Sequence, residues 1–370
     1  LNPLSPWGWD TRWDDSLRAS SPRLPSSVPG AGPEPARILE LHREHCVVAT
    51  RDGEMPASVP GRLFHAARSA ADLPAVGDFA AVDVRRAERR ATVLSLLPRR
   101  SALLRRHAGR ARRLAFREVD VEVVVANVDF VLVLMSLNAD FSPRRAERYL
   151  AQIWEGGAQP VLVLTKSDLS TDADERIAET MAVAPGVPVH AISALRDEGL
   201  DSLSPYLAPG RTAALVGSSG VGKSTLVNAL LGREAQVVRE IRGHDDTGVH
   251  TTTSRRMFLL DGRGCLVDTP GMRELGLCDA TAGVETAFSD VADLAPGCRF
   301  RDCTHDAEPG CAVRAAVEDH LLPAERLDGY RRLRRELLFV VSKERKRARM
   351  LARHETGRPE RRRVRPGDEE

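Results

Sequence analysis

The sequence predicts a multidomain chain: a small β-barrel, then an α/β domain on a parallel sheet, then a mainly helical C-terminal domain organised by a metal. Three observations carry this. Short apolar runs separated by Gly and Pro fill residues 36–98. Near-continuous apolar runs alternate with helical spacing across residues 117–277. Three cysteines and a histidine crowd into residues 298–311. A length of 370 residues leaves room for two or three domains at about 150 residues each.

Composition narrows the class. Hydrophobic residues make up 42% and charged residues 29%, as in soluble globular proteins. The net charge of +2 is nearly neutral and says nothing about nucleic acid; the distribution of charge says more. No run reaches the roughly 18 apolar residues of a membrane span, and no membrane partner is expected. The N-terminal stretch "LNPLSPWGWDTRWDDS" has no basic region followed by an apolar one, unlike a secretory signal. Six cysteines without a disulfide-like spacing favour a reducing compartment. A cytoplasmic protein is expected, and nothing in the sequence calls for more than a monomer.

Residues 1–35 are rich in Pro, Ser and Gly and read as a flexible leader. Trp7, Trp9 and Trp13 interrupt that reading; they either dock on the body or are chance aromatics. In residues 36–98, "ARILEL", "HCVVAT", "ASVPGRLF", "GDFAAVDV" and "ATVLSLL" are five strand-like runs, as in a small all-β barrel. An OB-like barrel is the candidate, although strand count alone does not separate it from an SH3-like one. Residues 99–116 form a basic linker, "RRSALLRRHAGRARR", which either tracks phosphates or is a solvated connector.

From residue 117 to 277 "VEVVVANV", "FVLVLMSL", "PVLVLTKSD" and "VPVHAISAL" resemble strands buried on both faces. "SPRRAERYLAQIWEGG" opens on Ser-Pro, has helical spacing and ends in Gly. The stretch "GSSGVGKST" follows an apolar strand and opens a helix, the context a phosphate-binding loop requires. Its residues are Gly217, Ser218, Ser219, Gly220, Val221, Gly222, Lys223, Ser224 and Thr225. Backbone N–H groups and the helix N-terminus cradle phosphates there. Lys223 would reach the β- and γ-phosphates, and Ser224 would ligate Mg²⁺.

"GCLVDTPGMREL" places Asp268 at a strand end, to hold the metal, and Gly271 where its N–H meets the γ-phosphate. Between these motifs lies the polar segment "GHDDTGVHTTTSRR". Either Thr251 or Thr252 would complete the Mg²⁺ shell, with Thr251 preferred. Upstream, Thr165, Lys166, Ser167 and Asp168 end a strand. The Asp168 carboxylate can accept both N1–H and N2–H₂ of guanine, a pairing adenine does not offer. Lys166 would brace the loop, and the backbone of Ser193 and Ala194, in "ISAL", would meet the guanine O6. An ATPase reading would make Asp168 a coincidence. The base-reading turn thus precedes the phosphate loop, which is the order of a circularly permuted domain.

The motifs "ANVDFVLVLMSL", "TKSD", "ISAL", "GSSGVGKSTLVNAL", "HTTT", "DTPGMRE" and a cysteine cluster together resemble the RsgA (YjeQ/YloQ) family of circularly permuted, ribosome small subunit-dependent GTPases. Thr165 stands where the family more often has Asn, which would weaken one loop-bracing hydrogen bond. The cluster holds Cys298, Cys303, His305 and Cys311 as C-x(4)-C-x-H-x(5)-C, a set suited to a closed structural Zn²⁺ site. Residues 278–345 are therefore read as a zinc-binding domain and 346–370 as a basic tail. From Arg331 to Arg365 there are fifteen Lys or Arg against four Asp or Glu, a bias that suits RNA.

The resemblance implies GTP and GDP as ligands, and the small ribosomal subunit with its rRNA as partner in late maturation. Met272 follows "DTPG" and has no group to orient water. His250 takes that catalytic role, beside Lys223, by resemblance to the family; the alternative is that it steadies the switch or touches RNA. A second class of function, a nucleotide-gated RNA-binding module in which hydrolysis matters little, fits the same motifs.

Overall fold

The structure is a computed structural model, describing residues 2–20, 32–42, 45–67, 72–106, 112–114, 117–119, 121–138, 141–232, 255–269, 278 and 280–356. His250, Thr251, Thr252, Gly271, Met272 and the tail beyond 356 lie outside the described residues.

The beginning of the leader departs from the expected flexible segment. A short 3₁₀ turn, Ser5–Trp7, leads into helix α1 (Thr11–Ser20). Trp9 and Trp13 are buried, and the Trp13 ring lies 4.3 Å from that of Phe79 while Trp9 meets Phe79 edge-on at 5.3 Å. Two indoles bury enough apolar surface to hold a ten-residue helix in place. Trp13→Ala is therefore expected to destabilise the fold by about 3–5 kcal/mol. Urea unfolding measures this; a loss below about 1 kcal/mol would mean that the helix merely rests on the surface.

The barrel consists of β1 (Glu34–Leu41), β2 (His45–Thr50), β3 (Gly53–Ser58), β4 (Phe79–Arg85) and β5 (Arg90–Leu96), with a short helix, α2 (Gly61–Ala66), between β3 and β4. The strands pair in the order β1-β2-β3-β5-β4, and β4 returns to β1 to close the ring. β3 and β5 are parallel, with Ala57 opposite Ala91, and the other pairs are antiparallel. This closed five-stranded arrangement gives the OB-like barrel. Ile38, Val48, Ala57, Val82 and Val93 fill its interior.

The basic linker is also more structured than expected. β6 (Ala102–Arg106) pairs antiparallel with β9 (Val121–Ala126), and β7 (Arg112–Leu114) pairs with β8 (Arg117–Val119). Several of its arginines face carboxylates of the same chain. Arg99 binds the fully buried Asp78 through both oxygens at 2.6 Å, Arg100 meets Asp10 at 3.2 Å, and Arg105 meets Glu122 at 2.9 Å. These three are ion-paired within the chain, Arg99 largely out of water and Arg100 at the exposed surface.

The α/β domain is a six-stranded sheet ordered β12-β11-β10-β13-β15-β14. Its strands are β10 (Phe130–Ser136), β11 (Gln159–Thr165), β12 (Val189–Ile192), β13 (Thr212–Gly217), β14 (Arg256–Leu259) and β15 (Cys265–Asp268). All are parallel except β14, which runs antiparallel at the edge and bridges to the barrel where Arg256 pairs with Glu40. β13 is buried along its whole length, because helices and neighbouring strands cover both faces. Helices α3 (Pro143–Glu155), α4 (Ala173–Val183) and α5 (Lys223–Leu231) accompany it.

The C-terminal region is helical: α6 (Thr281–Ala287), α7 (Ser289–Leu294), α8 (Ala312–Glu318) and α9 (Ala324–Thr356). The buried Arg326 fastens it to the α/β domain. Its guanidinium binds Asp290 at 2.8 Å and the Val183 carbonyl at 2.9 Å, and lies 4.1 Å from the Phe288 ring centre. Among the described residues, no helix is long and apolar enough to cross a membrane.

A single buried cation joins the other units. Arg37, on β1 and 1% exposed, donates to the carbonyls of Trp7, Gly77 and Asn127 and to Thr212 Oγ1. Leader, barrel, the end of β9 and the first residue of β13 thus meet at one guanidinium, whose planar fork of donors suits several acceptors.

Candidate functional site

The phosphate loop runs from the C-terminal end of β13 into α5. Gly217 has φ 150°, and a Cβ there would sit 2.7 Å from the Leu134 carbonyl oxygen, so only glycine lets the chain turn so close to β10. Gly220 and Gly222 also hold positive φ. Lys223 is buried, and its ammonium donates to the carbonyls of Gly217 and Ser218 at 2.6 Å each. The lysine thereby closes the loop on itself at the Ser218 side. Ser219, Gly220, Ser224 and Thr225 are exposed, and Val221 is buried beneath them.

The turn after β11 lies against this loop, although it comes more than fifty residues earlier. Thr165 Oγ1 donates to the Val221 carbonyl at 2.6 Å, and Lys166 Nζ donates to the Gly220 carbonyl at 2.8 Å. Thr165 is thus long enough to make the bracing bond whose weakening the sequence suggested. Lys166 adopts a left-handed conformation, φ 60°, from which Ser167–Leu169 makes a turn of 3₁₀ helix carrying the half-buried Asp168. At the end of β12, the Ser193 N–H donates to the Glu198 carbonyl at 3.0 Å. Among the described residues the Ala194 N–H has no backbone acceptor, so of the pair Ser193 and Ala194 the latter is the candidate donor to a ligand.

Asp268 ends β15, next to β13, and is 7% exposed. Thr269 Oγ1 donates to the Leu215 carbonyl, pinning the following turn against β13. Loop, base-side turn and acidic strand end therefore lie at the carboxyl ends of β13, β11 and β15, parallel strands of one sheet, the usual ligand position in such sheets.

Beside the loop lies a cavity of about 520 Å³ that the sequence does not announce, bounded by Ser218 and Ser219 on one side and by α3 and α9 on the others. Glu147 of α3 lies in its wall, 8% exposed at the side chain and 3.8 Å from Arg326. Burial pushes its carboxyl up to about 7, opposed by the charges of Arg326, Arg332 and Arg144. One signal was present in the sequence. Arg144 and Arg145 occupy the first turn of α3, which contains no acidic residue, the reverse of what the helix dipole favours.

The cysteine cluster forms a compact metal-binding set. One ligand atom each from Cys298, Cys303, His305 and Cys311 lies within 4.8 Å of all the others. Cys298 Sγ and Cys311 Sγ are 3.8 Å apart, and His305 Nδ1 lies 3.5 Å and 3.4 Å from them. A tetrahedral ion with ~2.3 Å bonds to sulfur and ~2.05 Å bonds to nitrogen has edges of about 3.8 Å and 3.6 Å. The residues fit such an ion. Arg331 and Arg334 of α9 donate to the carbonyls of His305 and Cys303, so the knuckle also holds the long helix.

A phosphate loop on a central parallel strand, braced by a base-side turn that precedes it in the chain, defines a circularly permuted P-loop GTPase domain, here flanked by an OB-like barrel and a cysteine-rich helical module. The sequence model described as RsgA GTPase matches residues 96–278. The chain is 44% identical over 303 residues to "Small ribosomal subunit biogenesis GTPase RsgA 2" of Lactiplantibacillus plantarum, covering 82% of this chain and 83% of that protein. It is 41% identical over 355 residues to "Small ribosomal subunit biogenesis GTPase RsgA" of Streptomyces coelicolor, covering 95% and 91%. Among solved structures, YjeQ from Thermotoga maritima matches with a TM-score of 0.61 at 24% identity, over 83% of this chain and 99% of that one. YloQ, described as a circularly permuted GTPase, matches with a TM-score of 0.58 at 22% identity, over 82% and 95%. The chain belongs to the RsgA GTPase family.

Proposed function

We propose that this protein hydrolyses GTP as a ribosome biogenesis factor, acting in late maturation of the small ribosomal subunit and stimulated by it. The observation that carries the reading is the pair of hydrogen bonds from Thr165 and Lys166 to the phosphate loop. They make one site of two motifs whose chain order is inverted. The names of the relatives supply the ribosomal partner.

In this site Asp168 reads the guanine edge and the Ala194 N–H donates to O6. The loop amides of residues 217–225 hold the phosphates. Lys223 swings its ammonium from the loop carbonyls to the β- and γ-phosphates. Ser224, Asp268 and Thr251 hold Mg²⁺, which neutralises phosphate charge when bound. Gly271 offers its N–H to the γ-phosphate, and His250 orients water. Phosphoryl transfer is governed mainly by positioning and charge, so a free chain with an unengaged switch turns over slowly.

Cys298, Cys303, His305 and Cys311 hold a structural Zn²⁺ that organises the C-terminal module. The barrel, this module and the basic helix contact rRNA, and the protein works in the cytoplasm as a monomer.

The test is phosphate release from GTP and from ATP, each with and without purified small subunits. Release specific to GTP and raised at least about tenfold by subunits is the expected result. Equal use of ATP would remove the Asp168 assignment, and indifference to subunits would remove the partner.

A further inference from the structure

The cavity beside Ser218 and Ser219 lies on a definite side of the nucleotide. The base-side residues Thr165 and Lys166 grip the loop at Val221 and Gly220, whereas Lys223 folds over Gly217 and Ser218. Lys223 serves the β- and γ-phosphates, so Ser218 and Ser219 mark the terminal-phosphate side. The cavity opens there, and four guanidiniums line it: Arg144, Arg145 and Arg148 from α3, and Arg332 from α9.

These arginines are not equivalent. Arg148 is paired with Glu336 at 2.7 Å, and Arg145 has contacts of its own. Among the described residues, neither Arg144 nor Arg332 is in ion-pair contact with a carboxylate; both act on the buried Glu147 only through their field. Both are exposed on the cavity side of their helices. A cleft holding unpaired positive charge at the terminal-phosphate edge is suited to receive the charge that builds up there during transfer.

Gly329 shows that the approach of α9 is built in. It lies within a long helix, where glycine is unfavourable by about 1 kcal/mol relative to alanine. A Cβ at this position would meet Glu147 Oε1 at 2.7 Å and Oε2 at 3.1 Å. The missing side chain lets α9 lie close against α3, and Arg332, one turn further on, lines the cavity as a result.

We propose that Arg332, assisted by Arg144, is an arginine supplied in cis to the γ-phosphate of GTP, making the C-terminal helix part of the hydrolytic machinery. Water attacks the γ-phosphorus, the bond to the β,γ-bridging oxygen breaks, GDP departs with that electron pair, and the water's proton passes to an oxygen of the inorganic phosphate that is formed. Arg332 neutralises the charge developing on the transferring group and on the bridging oxygen. Because α9 is also the helix that runs towards the basic tail, a partner bound to the tail can set how well this arginine is placed. The inference rests on the guanine-nucleotide reading given above.

The test uses the full chain loaded with Mg²⁺ and its cysteine-site metal. Single-turnover hydrolysis of GTP is measured with and without small ribosomal subunits, together with binding of GDP alone and of GDP with aluminium fluoride. Arg332→Ala is expected to slow hydrolysis by about 10- to 100-fold, to abolish the aluminium fluoride-dependent gain in affinity, and to leave GDP affinity within about twofold. Arg332→Lys should recover part of the rate, since it keeps the charge but loses the fork. Gly329→Ala, which crowds the Glu147 carboxylate where α9 lies on α3 and leaves the arginine itself intact, should slow hydrolysis in the same direction.

Unchanged hydrolysis in Arg332→Ala, with and without subunits, would overturn the proposal. So would a parallel loss of GDP binding, or a defect confined to salt-dependent docking on the subunit, which would assign the cleft to RNA phosphates instead. If the unaltered chain neither binds nor hydrolyses GTP, the guanine-nucleotide reading itself falls. If it hydrolyses GTP and Arg332→Ala does so equally well, only the arginine assignment falls.

Discussion

Asp168→Asn is expected to weaken GTP binding by at least about 10³-fold and to bring in xanthosine triphosphate as the preferred nucleotide. In the proposed site the carboxylate would accept two hydrogen bonds from the guanine edge, whereas an amide would accept one and donate one. Its NH₂ would face the guanine N2–H₂, leaving buried donors opposed, the kind of mismatch worth about 10⁴ or more in discrimination. Xanthine carries a carbonyl at that position and restores the match. The scaffold should survive, because Thr165 and Lys166, and not Asp168, brace the phosphate loop. Competition binding with GTP, ATP and xanthosine triphosphate measures the change. Retained GTP affinity would show that the base is read elsewhere.

Cys303→Ser is expected to release the metal and unfold the C-terminal module, while the barrel and the parallel sheet remain folded. Ligand geometry around the four side chains leaves little slack, and structural zinc contributes on the order of 10 kcal/mol of apparent folding free energy in small modules. The knuckle carbonyls also hold α9 through Arg331 and Arg334, so loss of the ion should expose that helix to protease. Cys278→Ser is the control. Its thiol is buried and pushed up to about 11 by that burial, and it lies outside the four-residue set, so metal content should stay at one per chain. Atomic emission on purified protein and limited proteolysis decide the matter; stoichiometric metal in Cys303→Ser would remove that cysteine from the ligand set.

What was legible in the sequence was local. The phosphate loop, the Thr-Lys-Ser-Asp turn and the cysteine spacing each lie within about a dozen consecutive residues, and each demands particular residue types for steric or ligand-bond reasons. The permuted order was legible because it depends only on which motif comes first. The rest depended on pairing across the chain. Strand count does not reveal that β3 and β5 run parallel or that β4 returns to β1. Whether the linker's arginines track phosphates or are solvated was open because the carboxylates that pair with Arg99, Arg100 and Arg105, namely Asp78, Asp10 and Glu122, are not adjacent in sequence. Composition left open whether the tryptophans at the start of the leader dock; two indoles outweigh a Pro- and Ser-rich context once Phe79 is in reach. The cavity of α3 and α9 joins segments almost two hundred residues apart, so only the unfavourable arginines at the start of α3 hinted at it.

The guanidinium of Arg37 has a consequence for the order of synthesis. Chains emerge N-terminus first, and domains generally fold as they emerge. The barrel is made early, yet two of the acceptors for its buried cation, Asn127 and Thr212, come 90 and 175 residues later. Until the strand that leads into the phosphate loop is translated, the nascent barrel holds a positive charge it has no complete means to bury. The barrel therefore reaches its final state only when the nucleotide-binding half is made, and the two mature as a single unit.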